Sequence, residues 1–310
     1  MNRVGKSVAK VVDINVERKG RILREHLSRS PFINNQVPTF SIVEFNVTEL
    51  CNRKCVFCPR SDPKKYPNRR KFLEPSLYEK IMKELSEFDY SGKILYSAFG
   101  EPLLHKELER LIALSKQYCP KSHVEIVTNG DFVTVKRLHT LFDAGLDTIV
   151  ISMYDGPHQI EHFTKIREAA GLRDDQLILR VRYLPPEQHY GIILSNRAGM
   201  IDLSEIGVKP LAEPLKKKCY YPFYQLMVDY DGTVLLCPHD WTKCFKAGDL
   251  KRQKLLEIWT GKELTCARKR LSDSDRNFEP CKVCDAKGTL MGGKHFEKWQ
   301  RYYREDDNAQ

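Results

Sequence analysis

Three cysteines within eight residues constrain this chain more than any other feature. Cys51, Cys55 and Cys58 stand in the spacing C-x3-C-x2-C, in the run Cys51-Asn52-Arg53-Lys54-Cys55-Val56-Phe57-Cys58. The residues just before them, from Phe40 to Phe45, are β-branched and aromatic and read as a buried strand. The thiols therefore crowd one short loop at a strand exit. A cubane [4Fe–4S] cluster normally takes four thiolates. Three from one loop leave an iron open, much as a catalytic zinc centre keeps an open position. An open iron can chelate a ligand by its amino and carboxylate groups. Two plainer readings compete: zinc, which usually draws on paired C-x2-C knuckles, and three unrelated structural cysteines.

Beyond that loop, strands and helices alternate. Helices are expected near Ser76–Phe88, Lys106–Tyr118, Val133–Ala144 and His158–Ala169, with strands at Lys93–Phe99, Val124–Thr128, Asp147–Met153 and Leu177–Leu184. Such alternation implies βαβ units on a parallel sheet, with chemistry at the C-terminal ends of the strands. Five units count clearly and a sixth is expected near Ile206–Leu211, so a partial (β/α)6 barrel fits an α/β fold of residues 39–214. Residues 1–38 read as a helical cap, with spaced apolar residues Val8, Val11, Val12, Ile22, Leu23 and Leu27.

The rhythm changes after Pro214. Phe223–Asp229, the turn Asp231-Gly232 and Thr233–Leu236 read as a β-hairpin, and Leu255–Leu271 as a helix. This region, residues 215–300, holds six of the ten cysteines, and a charged tail from Glu297 is expected to fray. Cys219 and Cys237 flank the hairpin, and Cys281 and Cys284 form a C-x2-C pair further on. Four thiolates make a full set for zinc or for an iron–sulfur cluster, and the residues alone do not separate the two.

The first loop resembles the signature of the radical S-adenosylmethionine (SAM) superfamily, in which an aromatic residue, here Phe57, precedes the third cysteine. The resemblance spans about residues 40–290 and implies a radical SAM barrel. It implies that the open iron chelates SAM, whose reductive cleavage yields a 5′-deoxyadenosyl radical that abstracts hydrogen from carbon. Gly100-Glu101-Pro102, after the second strand, resembles the family motif that binds the SAM amino group, with Phe99 where the first glycine is usual. Asn129 and Ser152, at the ends of the third and fourth strands, resemble ribose-contacting positions, though simple turns would place them equally well. Arg180 and Arg182 share one face of the fifth strand and need an anionic partner, either SAM, substrate or the fold's own carboxylates.

The C-terminal cysteines resemble the shorter, twitch form of the SPASM extension, so the resemblance implies a second, auxiliary [4Fe–4S] cluster on Cys219, Cys237, Cys281 and Cys284. Cys119 and Cys266 read as structural. Cys244, seven residues past Cys237, is the candidate hydrogen-atom donor of an epimerase, with His239 and Asp240 as candidate substrate contacts. Relatives of this kind epimerise or dehydrogenate aminoglycosides, aminocyclitols and other hydroxyl-rich molecules. Epimerisation with Cys244 is the expectation, and two-electron alcohol dehydrogenation, or modification of a peptide or RNA, the alternative.

The formal charge is +10, spread along the chain with clusters at Lys64-Lys65, Arg69-Arg70-Lys71 and Lys216-Lys217-Lys218. A basic surface can serve nucleic acid, but no appended nucleic-acid module is legible, so a small-molecule substrate is expected. No apolar run approaches the roughly 20 residues that span a bilayer, and no secretory signal pattern opens the chain. A cytoplasmic location is expected, with flavodoxin or ferredoxin as reducing partner.

Overall fold

Strands buried along their whole length set the architecture. In the computed structural model, which describes residues 14–307, every residue of Ile42–Phe45, Lys93–Tyr96 and Thr148–Met153 is buried. Strands covered on both faces belong to parallel sheets flanked by helices. The described residues open with α1 (Ile14–Arg29) and a small antiparallel pair, β1 (Phe32–Ile33) and β2 (Val37–Pro38). The core then follows as β3 (Ile42–Phe45), α2 (Pro75–Ser86), β4 (Lys93–Tyr96), α3 (Leu108–Tyr118), β5 (His123–Thr128), α4 (Val135–Asp143), β6 (Thr148–Met153), α5 (His158–Ala169) and β7 (Leu177–Val181). After a long irregular stretch come α6 (Tyr221–Tyr224), β8 (Gln225–Val228), β9 (Thr233–Leu235), β10 (Lys246–Asp249), α7 (Leu255–Trp259), α8 (Lys262–Ser272) and α9 (Gly293–Asp307).

One eight-stranded sheet runs in the order β10-β9-β8-β3-β4-β5-β6-β7. The strands from β8 to β7 are parallel to their neighbours, and β9 and β10 are antiparallel additions. The partial radical SAM barrel is therefore present, but its sixth parallel strand is not near Ile206–Leu211. That segment forms a short 3₁₀ turn, Ser204–Ile206, and a single bridge between Leu203 and Val208. Gly207 is left-handed at φ 77° and Pro210 lacks an N–H, so the segment cannot extend a ladder. The sixth strand is β8, from the C-terminal hairpin, paired with β3 from Ile42↔Gln225 to Phe45↔Val228. The C-terminal region is thus fused to the strand that leads into the cysteine loop.

Two other expectations change. The helix foreseen over Leu255–Leu271 breaks at Gly261, whose ψ of 163° is extended and whose added Cβ would stand 2.7 Å from Glu257 O. The described part of the tail is helical: α9 runs to Asp307 and buries Trp299 completely. The Arg268 guanidinium sits between the Trp259 and Trp299 rings, 4.0 and 3.9 Å from their centroids. At the other end, α1 buries Leu23 and Leu27 and reaches Glu125 of β5 through Arg18. Val8, Val11 and Val12 lie outside the described residues. No helix among the described residues is long and apolar enough to cross a membrane.

Candidate functional site

The loop after β3 carries Cys51, Cys55 and Cys58 over the C-terminal edge of the sheet, where all three line one cavity of about 330 Å³. Burial and the thiols of Cys58 and Cys51 push the Cys55 thiol up to about 12, which shows how closely the three crowd. The loop is lashed down from several directions. Arg53 forks to Asp131 and Asp155, with Nε–Asp131 and Nη1–Asp155 both at 2.7 Å, and so ties the loop to the segments after β5 and β6. Arg60 donates to Phe99 O at 2.5 Å and to Asn68 Oδ1 at 3.1 Å. Phe57 is buried against Tyr154, stacked at 6.0 Å, and against Tyr190 at 5.0 Å. The sequence had signalled none of Arg53, Arg60 or Tyr154.

Gly100 has a steric reason. A Cβ there would collide with Thr48 O and come within 2.9 Å of Leu50 O, so only glycine lets the strand-end loop pass under the cysteine loop. Glu101 lines the cavity at 3% exposure. Its carboxylate accepts from Thr128 Oγ1 at 2.6 Å, Asn129 N at 2.8 Å and Leu103 N at 3.0 Å. Burial outweighs these bonds and raises the group to about 7. Pro102 is buried beside it, opening a 3₁₀ turn, and does not face the cavity.

Asn129, Ser152, Arg180 and Arg182 all line the same cavity. Asn129 donates to Asn52 Oδ1 at 2.8 Å and accepts from Asp131 N at 3.0 Å, which braces the cysteine loop. Ser152 accepts from Arg180 Nη2 at 2.6 Å across neighbouring strands. Arg182 donates to Val181 O at 2.7 Å and to Gly191 O. The two arginines engage oxygen acceptors of the fold as well as the cavity.

The second cysteine set gathers where α6, the hairpin and the C-terminal turn meet. Cys237 is raised well above its ordinary value by burial and by Cys281, Cys219 and Cys284, so the four thiols are neighbours. Arg276 donates to Lys217 O, Lys218 O and Ala286 O at 2.9 to 3.0 Å, tying the approach to Cys219 to the segment after Cys284. Gly288 packs so tightly that a Cβ would collide with Cys219 Sγ. Among the described residues, no three His, Cys, Asp or Glu side chains stand close enough to hold one metal ion. Four thiolates on zinc at ~2.3 Å would have to converge on one point. A cubane takes one thiolate on each of its irons, and a donor set of four cysteines fits it.

Three candidates on the loop after Cys237 separate here. His239 lines the cavity, with Nδ1 3.0 Å from Ser195 Oγ and its ring against Tyr221 at 5.0 Å. Asp240 is fully buried and spent on its own turn, accepting from Thr242 Oγ1 at 2.8 Å and Phe245 N at 3.0 Å. Cys244 is exposed, outside the cavity, with Sγ 3.1 Å from Thr242 Oγ1. Lys243 turns the chain away: it is left-handed at φ 53°, and its ammonium pairs with Glu49 and, at 2.7 Å, Asp229. Of the three candidates, His239 lines the cavity and Asp240 and Cys244 do not. Further charged residues line it, among them Glu44 of β3 and Arg197. Glu44 was legible as a charge inside a buried strand; Arg197, in an irregular segment, gave no signal.

Residues 45–175 match the Radical SAM superfamily, and residues 219–285 match SPASM, an iron–sulfur cluster-binding domain. The chain is 32% identical over 247 residues to an S-adenosyl-L-methionine-dependent 2-deoxy-scyllo-inosamine dehydrogenase of Niallia circulans, covering 79% of this chain and 93% of the relative. It is 29% identical over 114 residues to a GTP 3′,8-cyclase of Aquifex aeolicus, covering 36% of this chain and 35% of that one. The crystal structure of BtrN with AdoMet and 2-DOIA superposes with a TM-score of 0.67 and 28% identity, covering 82% of this chain and 96% of BtrN. Native anSMEcpe with bound AdoMet, at 12% identity, TM-score 0.53 and coverage of 85% and 96%, shares the fold. The chain is an enzyme that uses [4Fe–4S] clusters and SAM. On these grounds it belongs to the radical SAM superfamily.

Proposed function

We propose that the enzyme dehydrogenates a secondary alcohol of a small aminocyclitol, rather than epimerising its substrate. One observation carries this reading: of the ten cysteines, only Cys51, Cys55 and Cys58 face the large cavity. Epimerisation by hydrogen return needs a donor such as a thiol on the far side of the substrate, and Cys244 points elsewhere. The likeness to the 2-deoxy-scyllo-inosamine dehydrogenase supports oxidation and the substrate class.

In this reading Cys51, Cys55 and Cys58 hold the SAM-binding cluster and Cys219, Cys237, Cys281 and Cys284 the auxiliary one. Bound together, the clusters and SAM supply one-electron chemistry: reductive cleavage of SAM, hydrogen abstraction from the carbinol carbon, and uptake of the second electron. Glu101 receives the SAM ammonium, while Phe57 and Tyr154 wall the adenosine side. Asn129 and Ser152 face the ribose, and Arg180 and Arg182 the carboxylate or the substrate. Arg197 and His239 stand toward the auxiliary cysteines, where they orient the substrate hydroxyl. A flavodoxin- or ferredoxin-class carrier delivers the electron in the cytoplasm.

The test is anaerobic reconstitution to about eight irons per chain, four per cubane, followed by SAM, reductant and 2-deoxy-scyllo-inosamine in D2O. One SAM consumed per ketone formed, without deuterium on carbon, is expected. Deuterium entering an inverted carbinol would replace this reading with epimerisation.

A further inference from the structure

Most charges that line the large cavity are already engaged by the fold. Arg53 is neutralised by Asp131 and Asp155 and Glu125 by Lys93 and Arg18, while Glu101 accepts from three donors. Glu44 is the exception among the carboxylates. It lies within β3, 3% exposed, and borders the cavity. Among the described residues it has no ion-pair partner, and its one hydrogen-bond donor is the Gln225 carboxamide, from the adjoining strand β8. Lys19 of α1 borders the same cavity and makes no ion pair with it. Gln225 Oε1 is itself buried without a partner, so the carboxamide is turned to serve Glu44.

A carboxylate removed from water costs several kcal/mol unless a cation or several donors compensate it. One amide is not enough, and the open side of Glu44 is the cavity. The ligand that completes the site is therefore cationic. Arg197 borders the same space with a buried Nε–H that no acceptor meets, which suits a hydroxyl or carbonyl oxygen of the same ligand.

We propose that Glu44 is the ammonium-binding residue of the substrate site, selecting a polyol that bears a primary amine over the matching neutral polyol. The inference rests on the aminocyclitol reading above and adds the group that reads the amine. A site that pairs a buried charge rejects the analogue lacking its partner, because the charge is then left desolvated and alone. Glu101 lies at a strand end beside the cysteine loop and answers the other ammonium, that of SAM.

The experiment uses the reconstituted, SAM-loaded enzyme and calorimetric titration. The probes are 2-deoxy-scyllo-inosamine, the same cyclitol with hydroxyl in place of the amine, and cyclohexylamine against cyclohexanol. Wild type should favour the amine of the first pair by at least about 100-fold. Glu44→Gln, which keeps the Gln225 contact, should erase that preference, and Glu44→Asp should retain part of it. SAM binding, read from the EPR change of the reduced cubane, should persist in both. A preference that survives Glu44→Gln, or SAM binding lost together with it, overturns the proposal. If wild type binds neither cyclitol, the aminocyclitol reading fails on its own and Glu44 is judged on cyclohexylamine. Binding that depends on Glu44 sustains the inference; absent or equal binding overturns it.

Discussion

The carboxamide of Asn68 pairs with both backbone groups of Cys51: Oδ1 accepts from Cys51 N–H at 2.9 Å, and Nδ2 donates to Cys51 C=O at 3.0 Å. A side chain 17 positions away thereby does the work of a neighbouring strand and fixes the first thiol of the loop. Asn68→Ala leaves both groups unpaired and should destabilise the loop by about 1–2 kcal/mol. Iron and sulfide analysis after reconstitution should show the SAM-binding cluster depleted and the auxiliary cluster retained. Equal loss of both would mean the whole fold had suffered.

The opposite selectivity is expected at Gly288. Its α-carbon leaves no room for a methyl beside Cys219 Sγ. Gly288→Ala should displace that thiol and deplete the auxiliary cluster, while SAM still perturbs the EPR signal of the other cubane. An intact second cluster in this variant would show that the segment yields.

Cys244→Ser should leave ketone formation within about twofold of wild type, since a surface thiol outside the cavity contributes little. A variant that makes no product would return Cys244 to the reaction.

Arg268 is fully buried and has no carboxylate partner among the described residues. It donates to Pro222 O at 2.8 Å and Trp259 O at 2.7 Å between two indole rings. Burial lowers it to about 10, so it remains charged at neutral pH. Arg268→Ala removes the cation–π sandwich and opens a void, and should cost about 3 kcal/mol in denaturant unfolding. A loss below about 1 kcal/mol would show that the rings close over the gap.

His26, Ser41 and His295 form a buried chain joining α1, the start of β3 and α9, with contacts of 2.8 and 2.7 Å. Burial lowers His26 to about 4 and His295 to about 3, against about 6.5 in the unfolded chain. The unfolded state therefore binds more protons in this window, and stability falls as pH drops below about 6.5. Each histidine contributes a slope of ~1.4 kcal/mol per pH unit until its folded value is reached. Urea unfolding at pH 7 and pH 5 should show this, and His295→Gln should flatten the dependence. An unchanged slope in the variant would place the acid sensitivity elsewhere.

Much of the site was legible because its signals are short-range. The loop cysteines lie within eight residues, so chain connectivity alone brings them together. Gly100 and Glu101 follow directly from a strand end, and Arg180 and Arg182 from strand periodicity. Trp299 and Tyr303 were hidden in a charged tail, although their spacing of four puts them on one helical face, and only the aromatic pocket at Trp259 and Arg268 gives that face a destination.

The sequence by itself determined the local chemistry: which thiols share a loop, which strands alternate with helices, and where turns must fall. Tertiary structure alone decided that β8 becomes the sixth parallel strand, that Glu44 meets Gln225, and that Lys243 swings Cys244 away from the cavity. The physical reason is distance along the chain. Local preferences come from a few adjoining dihedrals and side chains, whereas a register between residues 42 and 225, or an ion pair between 229 and 243 set by a left-handed turn, follows from burial and charge pairing summed over the whole fold.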